Sequence, residues 1–176
     1  RVRRVHLEED TGKLFHVAGH DLYLIHSPEE RLNSVLELIN TAQTTIRMCF
    51  YMYASDDTGA EVLAALVAAA RRGVQVQLII DSFGSSDITD SFFDPLVAAG
   101  GTYHCFSTRK GAGYFIRNHQ KILIVDKRYA LTGGFNITDQ YFGREGDESW
   151  EDLGVILSGP EVAQLIEYYE RLDAVS

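Results

Sequence analysis

Asn118-His119-Gln120-Lys121-Ile122-Leu123-Ile124-Val125-Asp126, followed after six residues by Gly133-Gly134-Phe135-Asn136, is the stretch that orders the reading of this chain. Four apolar residues in a row, Ile122 to Val125, bounded by charge at both ends, read as a strand. Side chains alternate across a strand, so His119 and Lys121 project to one face, with Leu123 and Val125 continuing that row. An imidazole and an ammonium side by side suit phosphodiester chemistry. A neutral imidazole can attack phosphorus, and a fixed cation can neutralise the non-bridging oxygens as charge moves onto them. Asp126-Lys127-Arg128-Tyr129 reads as a turn into a second short strand, Ala130-Leu131-Thr132. Gly133 and Gly134 then let backbone approach a ligand, and the Asn136 carboxamide can donate to the same oxygens.

A nucleophilic imidazole needs an acceptor on its other ring nitrogen, which selects the tautomer and stabilises the developing positive charge. Glu145, Asp147, Glu148, Glu151 and Asp152 form an acidic cluster that can supply one. Asp126, at the end of an apolar run, reads instead as a turn-capping residue.

Written as H-x-K-x4-D-x6-G-G-x-N, with every fixed position filled, the stretch resembles the signature of the phospholipase D superfamily. The likeness extends to Asp81-Ser82-Phe83-Gly84-Ser85, Arg117-Asn118, Gly134-Phe135-Asn136-Ile137 with Asp139 and Tyr141, Trp150-x-Asp152 and Ser158-Gly159-Pro160. Together these resemble the first catalytic half of a bacterial cardiolipin synthase, from roughly Leu22 to Leu172. The resemblance implies that His119 forms a covalent phospho-enzyme and that Lys121 and Asn136 hold phosphate oxygens. It also implies that Asp126 supports local structure and that no metal or other cofactor is used. Related enzymes place an acid just before the strand that here runs Leu153-Gly154-Val155-Ile156-Leu157, which singles out Asp152 as the partner of His119.

The family's chemistry uses two His-x-Lys motifs across a pseudo-twofold axis, and this chain carries one. His6, His16, His20, His26 and His104 have no Lys two residues later. The expectation is therefore a piece of a two-motif protein, since the chain opens on Arg1 and stops soon after a helix. The alternatives are a single-motif phosphodiesterase or nuclease that pairs with its own copy, and an isolated half serving as a scaffold.

Punctuation along the chain gives the organisation. Ser27-Pro28-Glu29-Glu30 opens a helix with Pro at its first position, and Leu32, Val35, Leu36 and Ile39 form its apolar stripe. Thr44 to Tyr53 reads as a strand. Thr58-x-x-Glu61 opens an alanine-rich helix that Gly73 stops. Val74 to Ile80 is a strand, Ser91 to Ala99 a short helix ended by Gly100-Gly101, and Tyr103 to Phe106 a further strand. A terminal helix begins near Pro160, with Val162, Leu165, Ile166 and Tyr169 inward. The pattern predicts an α/β fold, a mixed β-sheet between helical layers in a phospholipase D-like half-domain over 21–176. Residues 1–20 read as an irregular segment or linker.

At 45% hydrophobic content, 176 residues are ample for one core. A formal net charge of −9 repels polyanions and weighs against nucleic acid as substrate. Arg109, Lys110, Arg117, Lys121, Lys127, Arg128 and Arg144 are expected to form a local basic rim that receives an anionic phospholipid headgroup, phosphatidylglycerol-like in the family. No run of 18 apolar residues occurs, so the expected location is cytoplasmic, or peripheral at the inner membrane. Cys49 and Cys105 read as buried free thiols, and His104-Cys105 is no metal pair, because adjacent strand residues face opposite ways. Gly111-Ala112-Gly113 lacks the Lys-Ser/Thr of a nucleotide loop and reads as a flexible loop beside the motif.

Overall fold

The structure is a computed structural model and describes residues 13–106, 120–143 and 151–174. His119, Arg109, Lys110, Arg117, Arg144, the loop at Gly111-Ala112-Gly113 and the acids Glu145, Asp147 and Glu148 lie outside them. The element order is β1 (Leu14–Val17), β2 (His20–Ile25), α1 (Pro28–Thr41), β3 (Thr45–Phe50), α2 (Asp57–Arg71), β4 (Gln75–Asp81), α3 (Asp94–Ala98), β5 (Thr102–Phe106), β6 (Lys121–Val125), β7 (Tyr129–Gly133), β8 (Gly154–Ser158) and α4 (Val162–Asp173). All eight strands join one sheet in the order β1-β2-β8-β7-β6-β3-β4-β5. Its pairs are parallel only along β3-β4-β5, where helices supply the crossovers, and antiparallel elsewhere.

Strand alternation sorts the core into two layers. Met48, Phe50, Leu78, Leu123 and Val125 face α1, α2 and α3, while Cys49, Ile79, Ile122 and Ile124 face Val162 and Tyr169 of α4. The expected mixed sheet between helical layers is thus the observed one, and Lys121, in register with Leu123, belongs to the face of α1 and α2.

Ser27 caps α1 by accepting from Glu30 N at 3.2 Å. Glu30 does not return the bond to Ser27. Its carboxylate accepts from Lys13 Nζ, Tyr23 Oη and His26 N, and so ties the N-terminal hairpin to the helix. The start expected at Thr58 lies earlier: Asp56 is the cap, accepting from Gly59 N at 2.8 Å, and Thr58 is buried inside α2. Gly73 ends α2 at φ +92°, a conformation that Cβ-bearing residues rarely adopt.

Three further expectations differ from the structure. The segment read as irregular contains β1 and the start of β2, and the hairpin pairs through β2 with β8. Its alternation was obscured because most of its side chains remain partly exposed. Cys105 is exposed, because β5 is an edge strand, whereas Cys49 in β3 is buried. Lys127 and Arg128 sit in the β6–β7 turn, at the opposite end of β6 from Lys121 and so about 17 Å away. They contribute nothing to a rim around it.

Candidate active site

The site lies where β3 ends and β6 begins. Register puts Lys121 beside Phe50 on one side and level with Gly133, at the end of β7, on the other. Gly133 in turn pairs with Gly154, so four strands meet in one row at this edge. Lys121 is half-buried, with Nζ 5.7 Å from the centre of the Tyr51 ring. Burial pulls the ammonium below its ordinary pKa, and the nearby Asp152 carboxylate acts in the opposite sense.

Asp152 is held against the motif glycines. A methyl group on Gly134 would lie 2.5 Å from Asp152 Oδ2 and 2.8 Å from its Cγ, so only glycine leaves room for this carboxylate. A methyl on Gly133 would meet Leu153 O at 2.6 Å and the Phe135 ring at 2.8 Å. The glycine pair therefore admits the 152–154 segment, a packing role that the expectation of ligand approach did not include. Asp152 Oδ1 also accepts from Leu153 N at 2.7 Å.

Asn136 is 3% exposed. Its Oδ1 accepts from Met52 N at 3.0 Å, which fixes the amide orientation, and its Nδ2 points to Tyr141 Oη at 3.4 Å. An amide nitrogen carries two hydrogens, so a second donor remains. The strand-like pairing of Ile137 with Tyr53, through Ile137 N to Met52 O and Ala54 N to Ile137 O, clamps this loop to the end of β3. Asp139 adds to the clamp by accepting from Thr58 N and donating its own N–H to Asp56. Ser85 Oγ accepts from Tyr53 N at 3.0 Å, and Asp81 accepts from Phe83 N, which gives the 81–85 segment a supporting part behind the same turn.

Asp126 stands apart, at the other end of β6. Its carboxylate accepts from Gln43 N, Thr44 N, Thr44 Oγ1 and Thr45 N, closing the α1–β3 connection, while Asp126 and Lys127 both take left-handed backbone at φ 54°. Glu151 is exposed. Lys121, Asn136, Asp152, Gly133 and Gly134 are thus brought together, and Asp126 is not among them.

One neighbour escaped the sequence reading. Arg31 on α1 is fully buried, and the Asp152 carboxylate is near enough to act on its charge. The signal was present, since Arg31 falls four and seven residues before Val35 and Leu38 on the inward stripe, where an ionised group needs a reason. Among the described residues there is no group of three or more His, Cys, Asp or Glu placed to hold a metal ion, and no helix is long and apolar enough to cross a membrane.

A mixed sheet whose β6 opens on Lys121, with a paired-glycine turn and this Asn clamp beside it, defines a phospholipase D-type domain. The family model described as "Cardiolipin synthase, PLD-like domain" matches residues 35–172, and the chain belongs to that family. Cardiolipin synthase B of Escherichia coli K12 is 32% identical over 155 residues, 85% of this chain and 38% of the relative. A cardiolipin synthase of Clostridium perfringens strain 13 is 36% identical over 152 residues, 82% of this chain and 31% of the relative. The chain therefore spans between three and four tenths of the length of these relatives. Among solved structures, the phospholipase D family member Nuc from Salmonella typhimurium superposes with TM-score 0.67 at 25% identity, covering 86% of this chain and 93% of that one. NucT from Helicobacter pylori shares the fold, at TM-score 0.68 and 20% identity over 86% of this chain and 94% of its own.

Proposed function

We propose that this chain supplies one catalytic half, over 21–176, of an enzyme that moves a phosphatidyl group between alcohols, as in cardiolipin synthesis. The convergence of Lys121, Asn136 and Asp152 at one end of β6, two residues from His119 in sequence, carries the reading. His119 attacks the phosphorus of a phosphatidylglycerol-like lipid. A P–N bond forms as the P–O bond to the leaving alcohol breaks, and a histidine from a second motif gives that alkoxide its proton. The acceptor alcohol then loses its proton to the same histidine and attacks phosphorus, and the P–N bond breaks. Lys121 and the free hydrogen of Asn136 Nδ2 neutralise the phosphoryl oxygens in both steps, worth about 3 kcal/mol for each preorganised donor. Asp152 accepts from the other ring nitrogen of His119 and stabilises the imidazolium-like state. The step needs neither metal nor other cofactor.

The second motif comes from another segment of a longer protein, the arrangement favoured by the chain's partial coverage of its cardiolipin synthase relatives. The lipid is met at the membrane surface by peripheral contact. A second reading, a single-motif phosphodiesterase working as a homodimer, draws support from the match to 93% of the Nuc chain. The net charge of −9 weighs against nucleic acid as its substrate. Incubating the complete protein with phosphatidylglycerol vesicles and scoring cardiolipin plus glycerol, beside a parallel DNA-cleavage assay, separates the two. Lipid product lost in His119→Ala supports transfer, DNA cleavage with no lipid product supports the second reading, and neither activity would reject both.

A further inference from the structure

Arg31 is the one fully buried charged side chain among the described residues that no step above uses. An ion in such a place carries a desolvation cost of several kcal/mol unless polar partners offset it. Its partners are specific: Nη1 donates to Tyr141 O at 2.8 Å, 110 residues away, and Nη2 donates to His26 O at 3.2 Å, just ahead of α1. Tyr141 is the residue whose hydroxyl lies 3.4 Å from Asn136 Nδ2, and the guanidinium lies within electrostatic reach of Asp152, which rests on Gly134. A hydrocarbon side chain would fill the same space on the helix stripe without that cost, so packing alone does not account for an arginine here.

We propose that Arg31 is a positioning residue for the reaction proposed above. Its guanidinium fixes the Asn136–Tyr141 loop to α1 and shares the Asp152 carboxylate with Lys121, so that the carboxylate does not collapse onto the lysine. The inference rests on that functional reading for its kinetic consequences only. The charge sharing among Arg31, Asp152 and Lys121 can be measured without turnover.

Two variants of the complete protein test it, Arg31→Met, which keeps length and removes charge, and Arg31→Lys, which keeps charge and loses the forked geometry. In Arg31→Met, kcat should fall about 100-fold, the scale of a misplaced catalytic group, when assayed below its own melting temperature. KM should change by no more than about threefold, because ground-state contacts remain. Arg31→Lys should recover part of kcat. The Lys121 ammonium, followed by NMR with 13C-labelled lysine, should titrate at higher pH in Arg31→Met, since Asp152, which acts on both cations, then pairs with Lys121 alone. It should stay near the wild-type midpoint in Arg31→Lys. A folded Arg31→Met with wild-type kcat and an unmoved Lys121 titration would overturn the proposal. Should that variant fail to fold, wild-type kcat in Arg31→Lys overturns it and a reduced kcat supports it. If the wild-type protein turns over no phosphodiester, the functional reading fails, yet the Lys121 shift still decides the linkage: upward supports it, unmoved refutes it.

Discussion

Asp152 occupies the space that a side chain on Gly134 would fill, with its Oδ2 only 2.5 Å from where a methyl carbon would stand. The second glycine of the motif is therefore coupled to an acid eighteen residues further on, and a change at one is felt at the other. Gly134→Ala should displace the carboxylate and cost about 1–3 kcal/mol of stability through overpacking. It should also lower turnover, while Asp152→Ala/Gly134→Ala loses no more stability than Gly134→Ala alone. Chemical denaturation of these two variants and of Asp152→Ala alone checks this; additive losses would contradict it.

Asp126, by contrast, serves the fold. Its carboxylate receives four donors from residues 43–45, three of them backbone N–H groups. Asp126→Ala leaves those donors to water and should destabilise the protein by about 2 kcal/mol, discounted for partial exposure. Below the melting temperature kcat should be kept, because the side chain is a full strand length from Lys121. Loss of kcat in a stably folded Asp126→Ala would place it in the chemistry after all.

Lys121 is held below its ordinary pKa by burial, with Asp152 opposing. A folded-state value below the unfolded one means that the unfolded chain binds more protons in the interval between them, so the charged lysine costs stability at neutral pH. That cost is relieved as pH rises through the native value. In wild type relative to Lys121→Met, stability should therefore rise with pH on approaching about 10.4, the unfolded value. Turnover should fall over the same range, earlier than an unperturbed lysine would allow. Urea denaturation and pH–rate profiles read the two limbs; parallel stability curves for both proteins would show that burial does not act as described.

Glu30 works with the opposite sign. Burial alone raises its carboxyl, but hydrogen bonds from Lys13, Tyr23 and His26 and the Lys13 charge outweigh it, and the net pKa is lowered. Its contribution to stability is present above the unfolded value of about 4.3 and is lost as pH falls through the native one. Glu30→Gln should remove that acid-side dependence and loosen the β1–β2 hairpin, seen as faster amide exchange in β1. Unchanged exchange in β1 would detach the hairpin from this residue.

The parts of the fold readable from sequence were those whose pattern is set locally. Ser27-Pro28 and Gly73 mark helix ends by chemistry that needs no tertiary partner, and the run Ile122–Val125 is apolar on both faces because helices cover both sides of the sheet. Residues decided by distant partners were harder to place. Thr58 presented a plausible cap, but Asp56 wins because it also receives Asp139 N from the motif loop. Lys127 and Arg128 looked close to Lys121 in sequence, whereas a strand carries them to the far edge. The motif residues announced a site through their types and spacing. Arg31 did not, because its meaning lies in a hydrogen bond to Tyr141 and the charge of Asp152, both more than a hundred residues away.

The claim on which the account turns is covalent attachment of phosphorus to His119. The most direct measurement is mass spectrometry of the complete protein, acid-quenched during turnover of a phosphatidylglycerol substrate and digested. The account predicts a phosphatidyl mass increment on the peptide containing His119, absent from His119→Ala and accumulating when the acceptor alcohol is withheld. An increment on a different residue, or sustained turnover with His119 always unmodified in a trap able to detect it, would contradict it.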